Sequence, residues 1–222
     1  MGEWVHLTAA DGHGFEAYRS TPPQESLGAI VVVQEIFGVN SHIRSVTDRF
    51  AAAGYTALAP AYFDRIEPRV ELDYDPEGVA RGRSLKAEVG YEQAMLDTGA
   101  AVARLISETH KVAVVGYCWG GDLAWLAASE LPIAAAVAYY GGGIVNLLDR
   151  KPHAPLMLHF GETDQAIPSE SVGKIAEAVP TVPLHLYPAG HGFNCDQRAS
   201  YHQASADLAF ERSLEFLRRH LH

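Results

Sequence analysis

The sequence predicts an α/β protein in which a mostly parallel central sheet has helices on both faces. Short apolar runs that are typical of buried strands alternate with longer amphipathic segments along the 222 residues. One of these runs, 112–115, leads into a glycine-rich turn and then into a helix-like stretch. We find no internal repeat, low-complexity segment or linker, so we assign residues 1–222 to a single domain.

The predicted elements alternate between strand and helix. A first strand at 29–33 is followed by a helix that Ser41 can cap and that Gly54 is well placed to end. Residues 61–76 are rich in Pro, Asp and Tyr and leave the core, and whether residues 61–90 cover a site stays open. The other strands are predicted at 55–59, 111–115, 133–138, 155–160 and 182–187, and the other helices at 77–108, 122–128, 169–178 and about 199–219.

Composition and charge argue against several classes of function. The net charge of −10 disfavours nonspecific binding to nucleic acid or to acidic membranes, because both need a basic surface. No apolar run approaches the ~20 residues that span a bilayer, and the N-terminus lacks a signal-peptide pattern. The two cysteines form neither a disulfide framework nor a paired zinc motif, and no histidine pair has the helical spacing of a zinc site. We therefore expect a cytoplasmic protein with no metal and no cofactor.

The turn at 116–121, Gly-Tyr-Cys-Trp-Gly-Gly, has the strand–turn–helix pattern of a nucleophile elbow, with Cys118 where serine usually stands. Its glycines fit a sharp turn that holds the central residue in a strained backbone conformation and leaves its side chain exposed. A buried structural cysteine is the alternative, because free cysteines are commonly buried. The flanking glycines favour Cys118 as a nucleophile.

A thiol nucleophile needs a base, and the base needs an acid that orients it. Asp164 follows a predicted strand in a turn, and His191 follows the last predicted strand between two glycines. The order Cys118, Asp164, His191 along the chain is that of the α/β-hydrolases, and the last two fall past the carboxyl ends of strands, where open α/β sheets place their sites. Glu162 stays open as a competing acid, and we interpret His159 as a packed strand residue.

Acyl transfer also needs donors aimed at the oxyanion that develops on the substrate. The backbone N–H of Trp119, directly after the predicted nucleophile, is one candidate. The second is the N–H of Ile36, in the loop 34–38 that follows the first predicted strand. A plain strand-to-helix turn is the alternative interpretation of this loop. We expect these two amides to form the oxyanion hole.

Glu35 is the unexpected residue of this loop, because it ends an apolar strand and should point toward Cys118. A carboxylate beside a thiol opposes thiolate formation by repulsion, or it holds the thiol proton through a hydrogen bond. Either effect would keep the nucleophile inactive until substrate arrives. The alternative is that Glu35 pairs with an arginine and only shapes the loop.

These motifs together resemble the dienelactone hydrolases, also called carboxymethylenebutenolidases. The resemblance rests on Glu-Ile-Phe-Gly at 35–38, the cysteine turn at 116–121, Tyr-Tyr-Gly at 139–141, the turn before Asp164 and Gly-His-Gly-Phe at 190–193. It implies an α/β-hydrolase fold and a small monomeric enzyme with a Cys-His-Asp triad and no cofactor. It also implies hydrolysis of the anionic dienelactone to maleylacetate in the bacterial degradation of chloroaromatic compounds. In this family the glutamate that matches Glu35 contacts the resting thiol until substrate displaces it.

The chain departs from the family pattern at the residues that bind substrate. Family members hold the substrate carboxylate with two arginines, and Arg81, preferred over Arg83, is the candidate for one of them. Cys195 stands where the second is expected, and Arg198 is its candidate replacement. The substrate therefore stays open between dienelactone, another lactone and a general carboxylic ester. A redox-sensing thiol, or a binding module on an inactive hydrolase scaffold, is the alternative of another class.

Overall fold

The computed structural model describes residues 2–109 and 111–221 and contains one mixed sheet in this part of the chain. Its strands are β1 (Glu3–Thr8), β2 (Gly14–Ser20), β3 (Ala29–Val33), β4 (Thr56–Pro60), β5 (Val112–Tyr117), β6 (Ala135–Tyr139), β7 (Leu156–Gly161) and β8 (Leu184–Tyr187). They lie in the order β1-β2-β4-β3-β5-β6-β7-β8. The strands from β4 to β8 in this order are parallel, whereas β2 pairs antiparallel with both β1 and β4. The predicted α/β class with a mostly parallel sheet is confirmed.

The helices that cover the sheet are α1 (Ser41–Ala52), α2 (Pro76–Ile106), α3 (Trp119–Glu130), α4 (Ser169–Ala178) and α5 (Gln203–Leu221). Helix α1 packs with α5 through Phe50 and Phe210, and α2 packs with α3. Short 3-10 segments lie at Tyr62–Arg65 and Ile144–Asn146. No helix in the described part of the chain is both long and apolar enough to cross a bilayer.

The centre of the sheet is apolar throughout, because every residue of β3, β5 and β6 is buried. A parallel strand that is covered on both faces has no solvent-facing side, and this explains why these strands read as unbroken apolar runs in the sequence. The register pairs Val33 with Gly116 and Tyr117 with Tyr139. The carboxyl ends of the three strands therefore meet at one edge, and the segments that leave them build the site.

Strands β1 and β2 escaped the sequence analysis. They pair with each other, and β2 also pairs with β4, which extends the sheet at one edge. Glu3, His6 and Thr8 of β1 are exposed. These strands therefore lack the continuous apolar run that marks the central strands of the sheet.

Several boundaries differ from the prediction. Asn40, and not Ser41, caps α1, because its Oδ1 accepts a hydrogen bond from the N–H of Ile43 at 3.2 Å. Gly90, with φ 65° and ψ 178°, interrupts α2, so that two helical segments meet there. Helix α5 begins later than predicted, at Gln203, and strands β6 and β8 also start later.

Gly116 provides a test of the turn that joins β5 to α3. A Cβ atom at Gly116 would lie 1.7 Å from the carbonyl oxygen of Gly120, and neither backbone can give way without shifting the turn. We expect Gly116→Ala to lower the free energy of unfolding by about 3 kcal/mol or more, measured by urea denaturation. The control is Gly173→Ala in α4, where a Cβ atom meets nothing within 4 Å. It should be neutral or stabilise by up to about 1 kcal/mol, and equal effects of the two changes would contradict this account.

Candidate active site

Cys118 is the single residue between a strand and a helix. Strand β5 ends at Tyr117 and α3 begins at Trp119. Cys118 has φ 55° and ψ −114°, a positive φ that non-glycine residues rarely adopt. A Cβ atom at Gly120 would lie 2.4 Å from the carbonyl oxygen of Val33, so the helix can start this close to β3 only with glycine there. The turn thus aims the half-buried thiol out of the sheet at its carboxyl edge.

The imidazole of His191 joins Cys118 to Asp164. Nε2 of His191 lies 3.2 Å from the Cys118 sulfur, and Nδ1 lies 2.8 Å from Oδ2 of Asp164. The Tyr140 ring meets the imidazole edge-on, with centroids 5.1 Å apart. These contacts leave the imidazole one orientation, in which a proton can pass between the sulfur and Nε2.

Backbone hydrogen bonds hold the carboxylate of Asp164 in place independently of its contact with His191. It follows β7, and its Oδ1 accepts hydrogen bonds from the N–H groups of Ala166 at 2.8 Å and Ile167 at 3.2 Å. This arrangement leaves Oδ2 for the imidazole. The competing acid, Glu162, is exposed to solvent. The structure therefore brings Asp164, and not Glu162, to His191.

His159 lies elsewhere and is a core residue. It is fully buried in β7, where its ring nitrogens contact the hydroxyl groups of Tyr187 and Ser213. Burial holds the pKa of His159 well below its usual range, so the ring is neutral. Its role is packing and hydrogen bonding within the sheet.

The electrostatics of the site favour a charged imidazole. Burial opposes the charged form of His191, but the negative sulfur of Cys118 and the carboxylate of Asp164 outweigh burial and raise its pKa to about 10. The imidazole is therefore charged beside the sulfur at neutral pH. A thiolate is the nucleophilic form of cysteine, and an adjacent imidazolium stabilises that form.

Two residues that line one cavity with Cys118, Ile36 and Trp119, have backbone amides without acceptors among the described residues. Trp119 opens α3, and Ile36 follows β3 in the adjacent loop. Neither N–H donates a hydrogen bond to any residue that the structure describes. The Trp119 ring stacks on Phe63 with centroids 5.8 Å apart, which fixes the first turn of the helix. Free amides beside a nucleophile can stabilise an oxyanion.

A cavity of about 240 Å³ opens above the thiol. Three basic side chains line it, Arg83, Lys86 and Arg198. Among the described residues, no carboxylate forms an ion pair with Arg83, whereas Lys86 lies 3.8 Å from Asp122. The cavity is therefore locally basic in a protein whose net charge is −10. Its other lining residues are Ile36, Phe37, Val79, Cys118, Trp119, Asp122, Gly142, Gly143, Ala166, Ile167 and His191.

Arg81, the preferred candidate from the sequence, lies outside this cavity. Its guanidinium pairs with Glu67 at 2.9 Å on the exposed surface. Successive residues of a helix are turned by about 100°, so residues 81 and 83 of α2 face different directions. Arg83, the weaker candidate, is the one that lines the cavity. The first half of α2 also supplies Val79 and Lys86, so the segment whose role was open forms one wall of the site.

Glu35 pairs with an arginine in this structure. Its carboxylate is buried, and its Oε1 accepts a hydrogen bond from Nη1 of Arg198 at 3.2 Å. We expected Glu35 to contact the Cys118 thiol, but its hydrogen bond among the described residues goes to Arg198 instead. Arg198 itself lies over the rings of Phe37 and Tyr74, at 5.5 Å from each. The alternative interpretation, in which Glu35 pairs with an arginine, describes the observed geometry.

Asp122 is a cavity residue that the sequence analysis missed. It lies in the first turn of α3, where its carboxylate accepts hydrogen bonds from the Tyr91 hydroxyl and the Gly143 N–H, both at 2.8 Å. Burial raises the pKa of Asp122 to about 6, and the nearby Lys86 limits the rise. No sequence motif marks it, because its partners come from α2 and the loop after β6. It ties these two segments to α3.

This combination of sheet, turn and chain order defines an α/β-hydrolase: a sharp cysteine turn follows a central parallel strand, and an acid and a histidine follow later strands. The chain belongs to the dienelactone hydrolase family, whose profile matches residues 15–221. The resemblance drawn from the sequence is thereby confirmed, and the protein is a hydrolase enzyme.

Named relatives cover nearly the whole chain. The carboxymethylenebutenolidase of Pseudomonas putida is 34% identical over 227 residues, which covers 98% of this chain and 96% of that protein. The carboxymethylenebutenolidase of Pseudomonas knackmussii matches to the same extent. Among solved structures, a Klebsiella pneumoniae protein provisionally named a dienelactone hydrolase is 31% identical, with a TM-score of 0.83. That match covers 96% of this chain and 98% of the other.

A negative charge on the Cys118 sulfur should be visible in the titration of His191. We expect Cys118→Ala to lower the pKa of His191 by about one unit or more, because the variant removes that charge while burial and Asp164 remain. Ring-proton or ring-nitrogen NMR titration measures this pKa, and His191→Gln assigns the signal among the eleven histidines. An unchanged pKa in the alanine variant would mean that Cys118 is not negatively charged beside the imidazole.

Proposed function

We propose that this protein is a cysteine hydrolase that opens a small anionic lactone or ester, with dienelactone as the first substrate to test. The observation that carries the proposal is the imidazole of His191, which contacts the Cys118 sulfur at 3.2 Å and Asp164 at 2.8 Å beneath a basic cavity. The name of the Pseudomonas putida relative motivates the choice of dienelactone, whose hydrolysis gives maleylacetate. We propose a monomeric enzyme that needs no cofactor for this reaction.

In the first half of the reaction, the Cys118 thiolate attacks the carbonyl carbon of the substrate. The N–H groups of Ile36 and Trp119 hold the oxyanion that forms, each contributing on the order of 3 kcal/mol to lowering the barrier. The carbon–oxygen bond of the ester then breaks, and the leaving oxygen takes the proton of the His191 imidazolium. The product of this half is a thioester on Cys118.

In the second half, water attacks the thioester. Acylation removes the negative charge from sulfur, and that charge is one of the causes that raise the pKa of His191. The pKa of the imidazole therefore falls in the acyl-enzyme, and the ring becomes a base that can accept a proton from water. Asp164 keeps the ring oriented and stabilises the imidazolium that forms. Loss of the carboxylic acid product restores the thiolate.

The basic cavity supports an anionic substrate. Arg83 lines the cavity and has no carboxylate partner among the described residues, so its charge is available to a ligand. A guanidinium can hold a carboxylate with two parallel hydrogen bonds, which adds orientation to charge. We propose that Arg83, in place of Arg81, binds the carboxylate of the substrate.

A neutral ester is the second candidate substrate. Two of the three cavity cations already face a carboxylate, since Arg198 pairs with Glu35 and Lys86 lies 3.8 Å from Asp122. A cation that already faces a carboxylate gains less from an anionic ligand. This observation is the one that favours a neutral ester as the substrate.

The nucleophile can be tested directly. We expect Cys118→Ala to lower kcat for dienelactone and for aryl esters by at least about a thousandfold, since no other group forms the acyl-enzyme. Cys118→Ser should also lose at least about a hundredfold, because a hydroxyl is far less acidic than a thiol. Steady-state kinetics gives both values. Activity of Cys118→Ala within tenfold of the wild type would remove Cys118 from the mechanism.

The two arginines of α2 form a matched pair for testing substrate charge. We expect Arg83→Gln to raise KM for dienelactone about tenfold and to leave KM for its neutral methyl ester nearly unchanged. Arg81→Gln removes the same charge from the exposed surface and should change neither value. Equal KM effects of Arg83→Gln on both lactones would favour the neutral ester as the natural class of substrate.

A further inference from the structure

Three buried side chains of types that bind metals meet beside the candidate active site. Glu35 follows β3, His42 lies in the first turn of α1, and Cys195 lies in the loop after β8. Their exposures are 1%, 1% and 0%. One donor atom from each residue lies within 4.8 Å of the donor atoms of the other two. We refer to these three residues as the Glu35–His42–Cys195 cluster.

Two polar atoms of this cluster have no hydrogen-bond partner. Oε2 of Glu35 and Nε2 of His42 are buried, and neither contacts a donor or acceptor in the described part of the chain. Leaving a polar atom buried and unpaired is unfavourable, so such atoms point to a missing ligand or to a function. A pair of them in one cluster is the second observation, independent of residue type, that indicates a ligand.

The surroundings of His42 match those of a metal-binding histidine. Its Nδ1 lies 3.0 Å from Oδ1 of Asp196, so Nε2 is the nitrogen that stays free. Metal-binding histidines commonly use one nitrogen for a carboxylate and the other for the metal, because the carboxylate fixes the orientation of the ring. Asp196 would have this orienting role.

We propose that Glu35, His42 and Cys195 form a binding site for a divalent zinc-type metal ion, with water as a fourth ligand. One oxygen, one nitrogen and one sulfur donor suit zinc, which binds such ligands at about 2.0–2.3 Å in tetrahedral geometry. Ligand atoms around such an ion lie less than 4 Å apart, so side-chain rotations of about an ångström close the cluster around it. This metal site is a proposal beyond the hydrolase function, because the proposed hydrolase mechanism involves no metal bound by these three residues.

The charges balance when the ion binds. The thiol of Cys195 gives up its proton to solvent and coordinates as a thiolate, and Glu35 coordinates as a carboxylate, so that two negative charges meet the two positive charges of the ion. The remaining charges, those of Asp196 and Arg198, offset each other. Because Arg198 holds Oε1 of Glu35, the unpaired Oε2 is the oxygen that is available to the ion.

The experiment uses Cys118→Ala, which leaves Cys195 as the only thiol of the two in the chain. This protein is titrated with Co²⁺, and the near-ultraviolet charge-transfer absorption of a cobalt–thiolate bond is recorded. We expect the band to saturate at one equivalent, Zn²⁺ to abolish it by displacement, and Zn²⁺ to raise the melting temperature by a few degrees. A folded Cys118→Ala protein that shows no cobalt–thiolate band would overturn the proposal.

Histidine variants in the same background test the ligand set. His42→Ala should weaken Co²⁺ binding at least tenfold, whereas His6→Ala, which removes an exposed histidine of β1, should leave it unchanged. Asp196→Asn should keep the band and weaken binding about tenfold, as expected for a residue that orients a ligand. A band that is unaffected by His42→Ala would show that Cys195 binds the metal without this cluster, and the proposed site would then be wrong.

Discussion

The close approach of α3 to three strand ends is the constraint on which the site depends. A Cβ atom at Gly120 or Gly121 would collide with carbonyl oxygens of β3 or β6, so this helix can start where it does only with glycine at these two positions. Cys118 pays for the approach with a positive φ, a conformation that costs on the order of 1–3 kcal/mol. Buried packing of Trp119 against Phe63 is part of what offsets that cost. The strain falls on the residue whose sulfur we propose as the nucleophile.

The charges around Cys118 are local and do not follow the composition of the chain. A protein with a net charge of −10 keeps three basic side chains at one cavity, and it places an imidazolium beside the sulfur. Coulomb interactions within a few ångströms outweigh the distant surface charges, which solvent and salt screen. The acidic exterior therefore gives no information about the charge of the ligand, and the residues that line the cavity decide it.

The sequence predicts those features of the site that short motifs determine. The proximity of Cys118, Asp164 and His191 could be predicted because each follows a strand, and parallel strand ends meet at one edge. The direction in which an arginine of α2 points could not, since it depends on how the helix rotates against the loop after β3. Arg81 and Arg83 are the same type of residue in the same predicted helix, and only the packed structure distinguishes them.

Contacts between distant segments of the chain could not be predicted from the sequence either. Glu35 could meet either the thiol or an arginine, and the choice depends on Arg198, which the chain brings back from the loop after β8. The same loop places Cys195 near His42, although no residue spacing in the sequence indicates the proposed metal site. Strands β1 and β2 were missed for a different reason, because their exposed residues interrupt the apolar pattern.

The two candidate classes of substrate, anionic and neutral, differ in what they do to one contact, the ion pair of Glu35 and Arg198. A buried carboxylate is stable only while its charge is compensated, and Arg198 is the compensating cation in this structure. An anionic substrate that draws Arg198 toward itself leaves the charge of Glu35 uncompensated. The cost of that unpaired, buried carboxylate offsets part of the binding free energy of the substrate. A neutral ester makes no such demand, whereas Arg83, which has no ionic partner among the described residues, can bind an anion without displacing one. The substrate class therefore depends on whether the anion meets Arg83 first, and that is a question of position within the cavity more than of total charge.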